Sequence, residues 1–346
     1  MRALRLTEWK HDPELVEVPD PEPGPGEVVV RIGGAGACHS DLHLMHDFEA
    51  GLLPWGPPFT LGHENAGWVD AVGAGVQGLE IGEPVAVYGP WGCGRCHRCR
   101  QGMENYCERQ ATIGAPGGGL GLDGGMAPRM LVPSARLLVP LGDLPPADAA
   151  PLTDAALTPY HAVNRSLPLL VPGSTAVVIG AGGLGHMAIQ LLHELCPATI
   201  VAVDQRQRAL DLATQVGADH VVPAGADAAA HIQDLTGGRG ADVVLDIVGA
   251  DDTLALGAVL TRPLGHLTIV GIAGGSLPIS FFGIAYEVSV ATTYWGTLPE
   301  LMEVIALASA GKISAHTQHF TLDQAAAAYQ AMRDGDLDGR AVIVPE

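Results

Sequence analysis

Lysine is almost missing from this chain. Only Lys10 and Lys312 occur among 346 residues, and the 18 basic residues face 38 acidic ones, for a formal net charge of −20. Phosphate backbones are held by Lys and Arg, so this balance excludes a nucleic-acid partner. An acidic surface favours solubility and says little about fold. Long apolar runs are missing too. No stretch approaches the roughly 18 residues that span a bilayer, and Met1-Arg2-Ala3 leads straight into LRLTEW without an apolar leader region. A cytoplasmic protein with no membrane contact is expected. Cysteine is scarce: of six, five fall in metal-compatible contexts and Cys196 stands alone. In a reducing compartment that pattern favours metal ligation over disulfides. Internal repeats and low-complexity tracts are absent, since the 46 Gly and 26 Pro are spread along the chain and read as turns.

What is present is enough chain for two domains and, at 47% apolar residues, enough material for two cores. Residues 1–150 are turn-rich with short strands, among them VVVRIGGAG (28–36) and IGEPVAVYG (81–89), and predict an irregular β-barrel. From Pro172 the texture changes. TAVVI (175–179), a helix through HMAIQLLHEL, TIVAV (199–203), a helix over 208–216, DHVV (219–222), ADVVLDIVG (241–249), HLTIVG (266–271) and EVSVATTY (287–294) follow in turn. Such βα alternation predicts a doubly wound parallel sheet. After Pro299 come an apolar helix, a strand AHTQHF, an Ala-rich helix and a last strand RAVIV, which are expected to return to the first domain.

Three constellations carry chemistry. Cys93, Cys96, Cys99 and Cys107 have the C-x2-C-x2-C-x7-C spacing of a closed structural zinc lobe. Two disulfides, idle thiols or a zinc ribbon are the alternatives; four bare thiols in one loop would invite oxidation, and the acidic balance disfavours a ribbon on nucleic acid. Gly180, Gly182 and Gly185, with Gly183 and Leu184 between them, form G-x-G-x-x-G between a strand and a helix. This pattern admits a pyrophosphate at the helix N-terminus. Asp204, 24 residues after Gly180, ends the next strand. There it can bind adenosine ribose hydroxyls and repel a 2′-phosphate, which favours NAD over NADP, although Arg206 and Arg208 lie just beyond; its plainer reading is a helix N-cap. Finally, Cys38, His63 and Asp154 are candidate ligands of a second zinc. Cys38-His39-Ser40-Asp41-Leu42-His43 concentrates donors, Gly62-His63-Glu64 adds more, and Asp154 sits where the first domain passes into the second. Three ligands with one open position are what a zinc Lewis acid requires. A closed metal site, an open one and a dinucleotide fold together point to zinc-assisted hydride transfer.

The run Cys38–His43, the Gly62-His63-Glu64 triplet, the cysteine lobe, Pro151-Leu152-Thr153-Asp154 and the Gly180–Gly185 loop, in this order, resemble the zinc-dependent medium-chain alcohol dehydrogenases. The likeness is strongest to bacterial NAD-dependent members that oxidise secondary alcohols and reduce ketones. It implies a GroES-like catalytic domain (1–154 and 297–346, with the structural zinc lobe at 93–107) and a Rossmann coenzyme domain (155–296). It implies Cys38, His63 and Asp154 as catalytic zinc ligands, with Glu64 able to ligate transiently and Asp41 behind the zinc-bound histidine. Ser40 would accept the alcohol proton and His43 would relay it to water by way of a cofactor ribose hydroxyl. Thr158 would touch the nicotinamide, and His39 and Arg340 the pyrophosphate. Two zinc ions and NAD are thus the implied cofactors, and a small alcohol, ketone or aldehyde the substrate.

Trp55, Trp91, Tyr294 and Trp295 are plausible walls of an apolar substrate pocket, with ordinary packing as the alternative. A polyol or amino-alcohol dehydrogenase of the same superfamily would need polar walls instead. A non-catalytic nucleotide-binding protein would have no use for Ser40 and His43. Analogy with bacterial relatives implies a homotetramer joined at sheet edges, and the apolar 281–294 segment could serve such a contact.

Overall fold

The computed structural model describes residues 1–345. The chain divides into two compact units, Met1–Leu157 with Trp295–Glu346, and Thr158–Tyr294.

The first unit is built on a seven-stranded sheet. Its path runs Leu138–Pro140, Pro84–Val87, Glu64–Val72, Val28–Ala37, Arg340–Val344 and Thr317–Thr321, with Arg129–Val132 also pairing to Val28–Ala37. Neighbours are antiparallel except the last pair, Thr317–Thr321 with Arg340–Val344, which is parallel. Val28, Val29, Val30 and Ile32 on the central strand are buried; a β-branched run of this kind suits a strand covered on both sides. A second sheet orders Glu14–Glu17, Arg2–Leu6 and Phe59–Thr60. The chain end therefore does return to this unit: Arg340–Val344 lies beside Val28–Ala37, and helices Leu298–Ser309 and Ala325–Asp334 precede it.

The second unit is a six-stranded, wholly parallel sheet ordered His220–Pro223, Thr199–Asp204, Thr175–Ile179, Ala241–Asp246, Thr261–Ile269 and Ser289–Thr292. Strand order reverses between Thr175–Ile179 and Ala241–Asp246, the arrangement of a dinucleotide-binding sheet. Val177, Val201, Val244 and Leu267 form its buried core. The structure adds helices Ala228–Leu235 and Asp251–Leu260 between the predicted strands. Both are short: Ala228–Leu235 opens on three alanines without a side-chain cap hydrogen bond at Asp227, and Asp251–Leu260 starts with two acidic residues while the Ala250 amide donates to Thr253 Oγ1 at 3.0 Å. No helix among the described residues is long and apolar enough to cross a membrane.

Candidate active site

The four lobe cysteines are free, and their sulfurs lie within 4.8 Å of one another. Cys96 Sγ and Cys99 Sγ are 3.4 Å apart, too far for a disulfide and close to the roughly 3.8 Å edge of a tetrahedron with 2.3 Å zinc–sulfur bonds. Backbone amides point at the sulfurs: Cys96 N donates to Cys93 Sγ at 3.3 Å, and Cys99 N to Cys96 Sγ at 3.4 Å. Cys93 N and Arg109 N both donate to Cys107 Sγ at 3.4 Å. Such amides stabilise thiolate. The Arg95 amide foremost, helped by Cys96, lowers Cys93 to about 6, while burial pushes the Cys99 thiol up. The donor set and its geometry fit a closed four-sulfur zinc site. Beneath it Glu104, fully buried, accepts an ion pair from Arg136.

The second constellation lies at one end of the seven-stranded sheet. Strand Val28–Ala37 runs out at Cys38, the N-cap of helix His39–His46. Glu64 pairs with Gly36 across the antiparallel ladder, which brings His63 to the level of Ala37, one residue from Cys38. Asp154 follows the 3-10 turn Ala150–Thr153. These elements gather one donor atom each from Cys38, His63, Glu64 and Asp154 within 4.8 Å. Cys38, His63 and Glu64 are buried, and Asp154 is 9% exposed. His63 Nε2 faces the cluster, 3.7 Å from Asp154 Oδ2 and 3.2 Å from Ser40 Oγ. On the other side His63 Nδ1 is 3.2 Å from Asp41 Oδ1, within ion-pair range but without the alignment of a regular hydrogen bond. A carboxylate behind a histidine whose other nitrogen faces a donor cluster is the usual outer support of a metal ligand.

The electrostatics call for a cation. Burial disfavours imidazolium, yet the Asp41 carboxylate foremost, with Asp154 and Cys38, outweighs it and holds His63 well above its ordinary value. Burial likewise pushes Glu64 up to about 7, against the pull of Arg340. Thiol, imidazole and carboxylate donors, jointly short of positive charge, fit zinc.

Other site residues fall as follows. His43 Nδ1 pairs with Asp47, and its side chain is 24% exposed. His39 is exposed at the start of the same helix. Arg340, expected at a coenzyme pyrophosphate, is 3% exposed and forks onto both oxygens of Glu64, with its Nε 2.9 Å from Oε2. Gly36 makes that fork possible, since a Cβ there would stand 1.9 Å from Glu64 Oε2. Trp295 is buried, meets His63 edge-on at 5.9 Å between ring centroids, and donates its indole N–H to the Thr153 carbonyl at 3.1 Å. It does so with φ at 53°, a costly conformation for a bulky residue and one found at functional sites. Trp55 instead packs on Trp9 and Phe59, with centroids 6.0 and 5.8 Å away, and Trp91 is buried with its indole bonded to the Tyr88 carbonyl.

In the second unit Thr158 is buried and Tyr294 is 44% exposed. Gly180–Gly185 leads from strand Thr175–Ile179 into helix Gly185–Leu195. Gly185 packs so closely that a Cβ would lie 1.9 Å from the Gly180 carbonyl oxygen. Asp204 ends its strand 7% exposed and accepts the Ala181 amide at 2.9 Å. The Arg206 amide (2.9 Å) and guanidinium (Nε, 3.2 Å) also reach it.

Two residues at the site belong to none of the sequence motifs. Asp47 partners His43, and an acidic residue four positions along a helix was the local signal. Tyr329 donates its hydroxyl to Asp41 Oδ2 at 2.9 Å from the far end of the chain. Its one signal was a lone phenol on an Ala-rich helix face, where a buried hydroxyl needs a partner.

The chain is similar to known proteins along its whole length. A family profile described as alcohol dehydrogenase GroES-like domain matches residues 24–143, and one described as zinc-binding dehydrogenase matches 183–310. The chain is 37% identical to an NAD-dependent alcohol dehydrogenase of Sulfurisphaera tokodaii, covering 100% of both chains. It is 36% identical to a D-arabinose 1-dehydrogenase (NADP(+)) of Saccharolobus solfataricus, covering 99% of this chain and 97% of that one. The crystal structure of the alcohol dehydrogenase from the archaeon Aeropyrum pernix superposes with a TM-score of 0.93 at 38% identity, over 100% of each chain. With a GroES-like unit, a Rossmann-type unit and two zinc-compatible donor sets in the same chain, this protein belongs to the zinc-dependent medium-chain alcohol dehydrogenase family.

Proposed function

We propose that this chain is an NAD-dependent alcohol dehydrogenase that interconverts small secondary alcohols and ketones in the cytoplasm, with two zinc ions per chain. The observation that carries the reading is the meeting of Cys38, His63, Glu64 and Asp154 within 4.8 Å, backed by Asp41. Cys38, His63 and Asp154 would hold the catalytic zinc, with Glu64 in reserve, and the four cysteines the structural one. When bound, the catalytic zinc supplies Lewis acidity to the substrate oxygen and the nicotinamide exchanges the hydride. Ser40, whose hydroxyl lies 3.2 Å from His63 Nε2, would take the alcohol proton. His43, oriented by Asp47, passes it to solvent. Asp41 fixes the His63 ring, and Trp295 beside that ring gives the pocket an apolar wall.

Coenzyme preference rests on Asp204 at the strand end, whose carboxylate favours a free ribose over a 2′-phosphate. The D-arabinose 1-dehydrogenase (NADP(+)) among the relatives supports a second reading, a sugar or polyol dehydrogenase using NADP. One panel separates them: 2-propanol, 2-butanol, sorbitol, glycerol and D-arabinose, each with NAD and with NADP. The proposal expects the highest kcat/KM for 2-butanol with NAD, because an apolar wall leaves extra hydroxyls unpaired at roughly 1–3 kcal/mol each. Equal or better turnover of the polyols or the sugar would give the second reading the preference.

A homotetramer is part of the same proposal. Ser289–Thr292 is the outermost strand of the parallel sheet, and Ile279, Phe281, Phe282 and Tyr286 before it are exposed at 62, 73, 88 and 59%. So much bare apolar surface suits a subunit contact. Sedimentation at a single-subunit mass would contradict it.

A further inference from the structure

Asp41 holds the zinc site together from behind. It is fully buried, and its two oxygens serve three groups. Oδ1 faces the His63 ring at 3.2 Å. Oδ2 accepts the backbone amide of Cys38 at 2.9 Å and the Tyr329 hydroxyl at 2.9 Å. One carboxylate thus touches two of the three proposed zinc ligands, the backbone of one and the side chain of the other. Its own rotation is limited on the Oδ2 side by just two donors.

Tyr329 comes from helix Ala325–Asp334, 288 residues from Asp41 in sequence. It is 1% exposed and lies with Ala325, Ala328 and Met332 among the buried residues of that helix. A phenylalanine would fill that space equally well, so packing does not account for the hydroxyl. The hydroxyl also lies 3.3 Å from Met126 Sδ, but it has one proton, and a thioether is a weak acceptor beside a carboxylate. Burial, reinforced by Asp41, raises the phenol well above its ordinary value, so it remains a donor.

We propose that Tyr329 is a positioning residue of the catalytic zinc site: its hydroxyl locks the Asp41 carboxylate in the orientation that holds Cys38 and His63 ready for the metal. This rests on the assignment of Cys38, His63 and Asp154 as zinc ligands. In such an arrangement the C-terminal segment contributes to metal retention although it carries no ligand.

The experiment uses the full-length zinc-loaded protein and follows zinc release to excess chelator, at a temperature where every variant is fully folded. Wild type should release zinc in two phases, and Cys38→Ser should lack one of them, which identifies the catalytic ion. Tyr329→Phe should speed that phase alone, by about tenfold, the low end of the loss when an outer-shell partner is removed. The lobe phase should be unchanged. Cobalt placed at the same site should show an altered visible absorption spectrum in Tyr329→Phe, a readout that simple loosening of the helix would not move. Met126→Leu removes the competing thioether at nearly constant volume and should leave both phases at wild-type rates. A Tyr329→Phe protein with wild-type release and spectrum would overturn the proposal, and so would equal acceleration by Met126→Leu. Wild-type protein that holds only the lobe zinc would instead overturn the ligand assignment itself, and the proposal with it.

Discussion

Replacing Arg340 by methionine should expose how much the site depends on one buried ion pair. Arg340 and Glu64 stand on the two strands that flank Val28–Ala37, and they meet over Gly36. Both are almost wholly buried, at 3% and 0% exposure. Arg340→Met keeps the aliphatic bulk and leaves Glu64 without its counter-charge. Breaking a buried pair by removing one partner costs roughly 3–5 kcal/mol. In a unit of this size each kcal/mol lowers the melting midpoint by roughly 2–4 °C, so a loss near 10 °C is expected. The deficit should depend on pH in a definite direction. Glu64 is raised from 4.5 to about 7 even with Arg340 present, because burial disfavours the carboxylate. A raised carboxyl contributes stability that is complete below its ordinary value and is lost as pH rises through its folded value. Without the guanidinium the folded value climbs further, so Arg340→Met should lose more at pH 8.5 than at pH 5.5, by up to about 1.4 kcal/mol per pH unit. Thermal melts of wild type, Arg340→Met, Glu64→Gln and the double variant at both pH values give the coupling. The double variant should recover part of the loss, since no charge is then left buried. A melting midpoint for Arg340→Met within 2 °C of wild type at pH 8.5, or a deficit independent of pH, would refute this account of the pair.

Removal of the proposed relay base, His43→Ala, should slow alcohol oxidation mainly below about pH 8, where hydroxide is too scarce to replace it, with the melting midpoint unchanged. An unaltered pH–rate profile would reduce His43 to a surface histidine held by Asp47. Asp204→Asn should raise the NADP-to-NAD ratio of kcat/KM at least tenfold, about 1.4 kcal/mol, by removing the charge that opposes a 2′-phosphate. If wild type already uses both coenzymes equally well, the Arg206 guanidinium beside Asp204 is where the compensation lies.

How much of this was legible in the sequence followed from whether the chemistry imposes a fixed local spacing. Four sulfurs around one ion need cysteines a few residues apart, and a pyrophosphate at a helix N-terminus needs glycines at set intervals, so both motifs announced themselves. The βα alternation was legible for the same local reason, and Thr175–Ile179, Thr199–Asp204 and Arg340–Val344 form where expected. The helix His39–His46 has no broad apolar stripe to mark it in the sequence, since HSDLHLMH buries only Leu44 and Met45 beside Asp41. The supports of the site were the least legible. Arg340 meets Glu64 across 276 residues, and Tyr329 meets Asp41 across 288. No periodicity encodes such pairs, because sheet topology creates them. Trp55 and Trp91 stand near the ligand motifs in sequence, yet Trp55 joins Trp9 and Phe59 in a cluster of its own, while Trp295, far from those motifs in sequence, meets His63 edge-on.

The central claim is that Cys38, His63 and Asp154 hold a zinc on which hydride transfer depends, separate from the zinc of the cysteine lobe. Metal analysis of Cys38→Ser, paired with an NAD-dependent assay on 2-butanol, tests it most directly. The account predicts two zinc ions per chain in wild type, one in the variant, a melting transition that still reports an intact lobe, and no measurable oxidation of 2-butanol. A Cys38→Ser protein that keeps two zinc ions and its activity would contradict it.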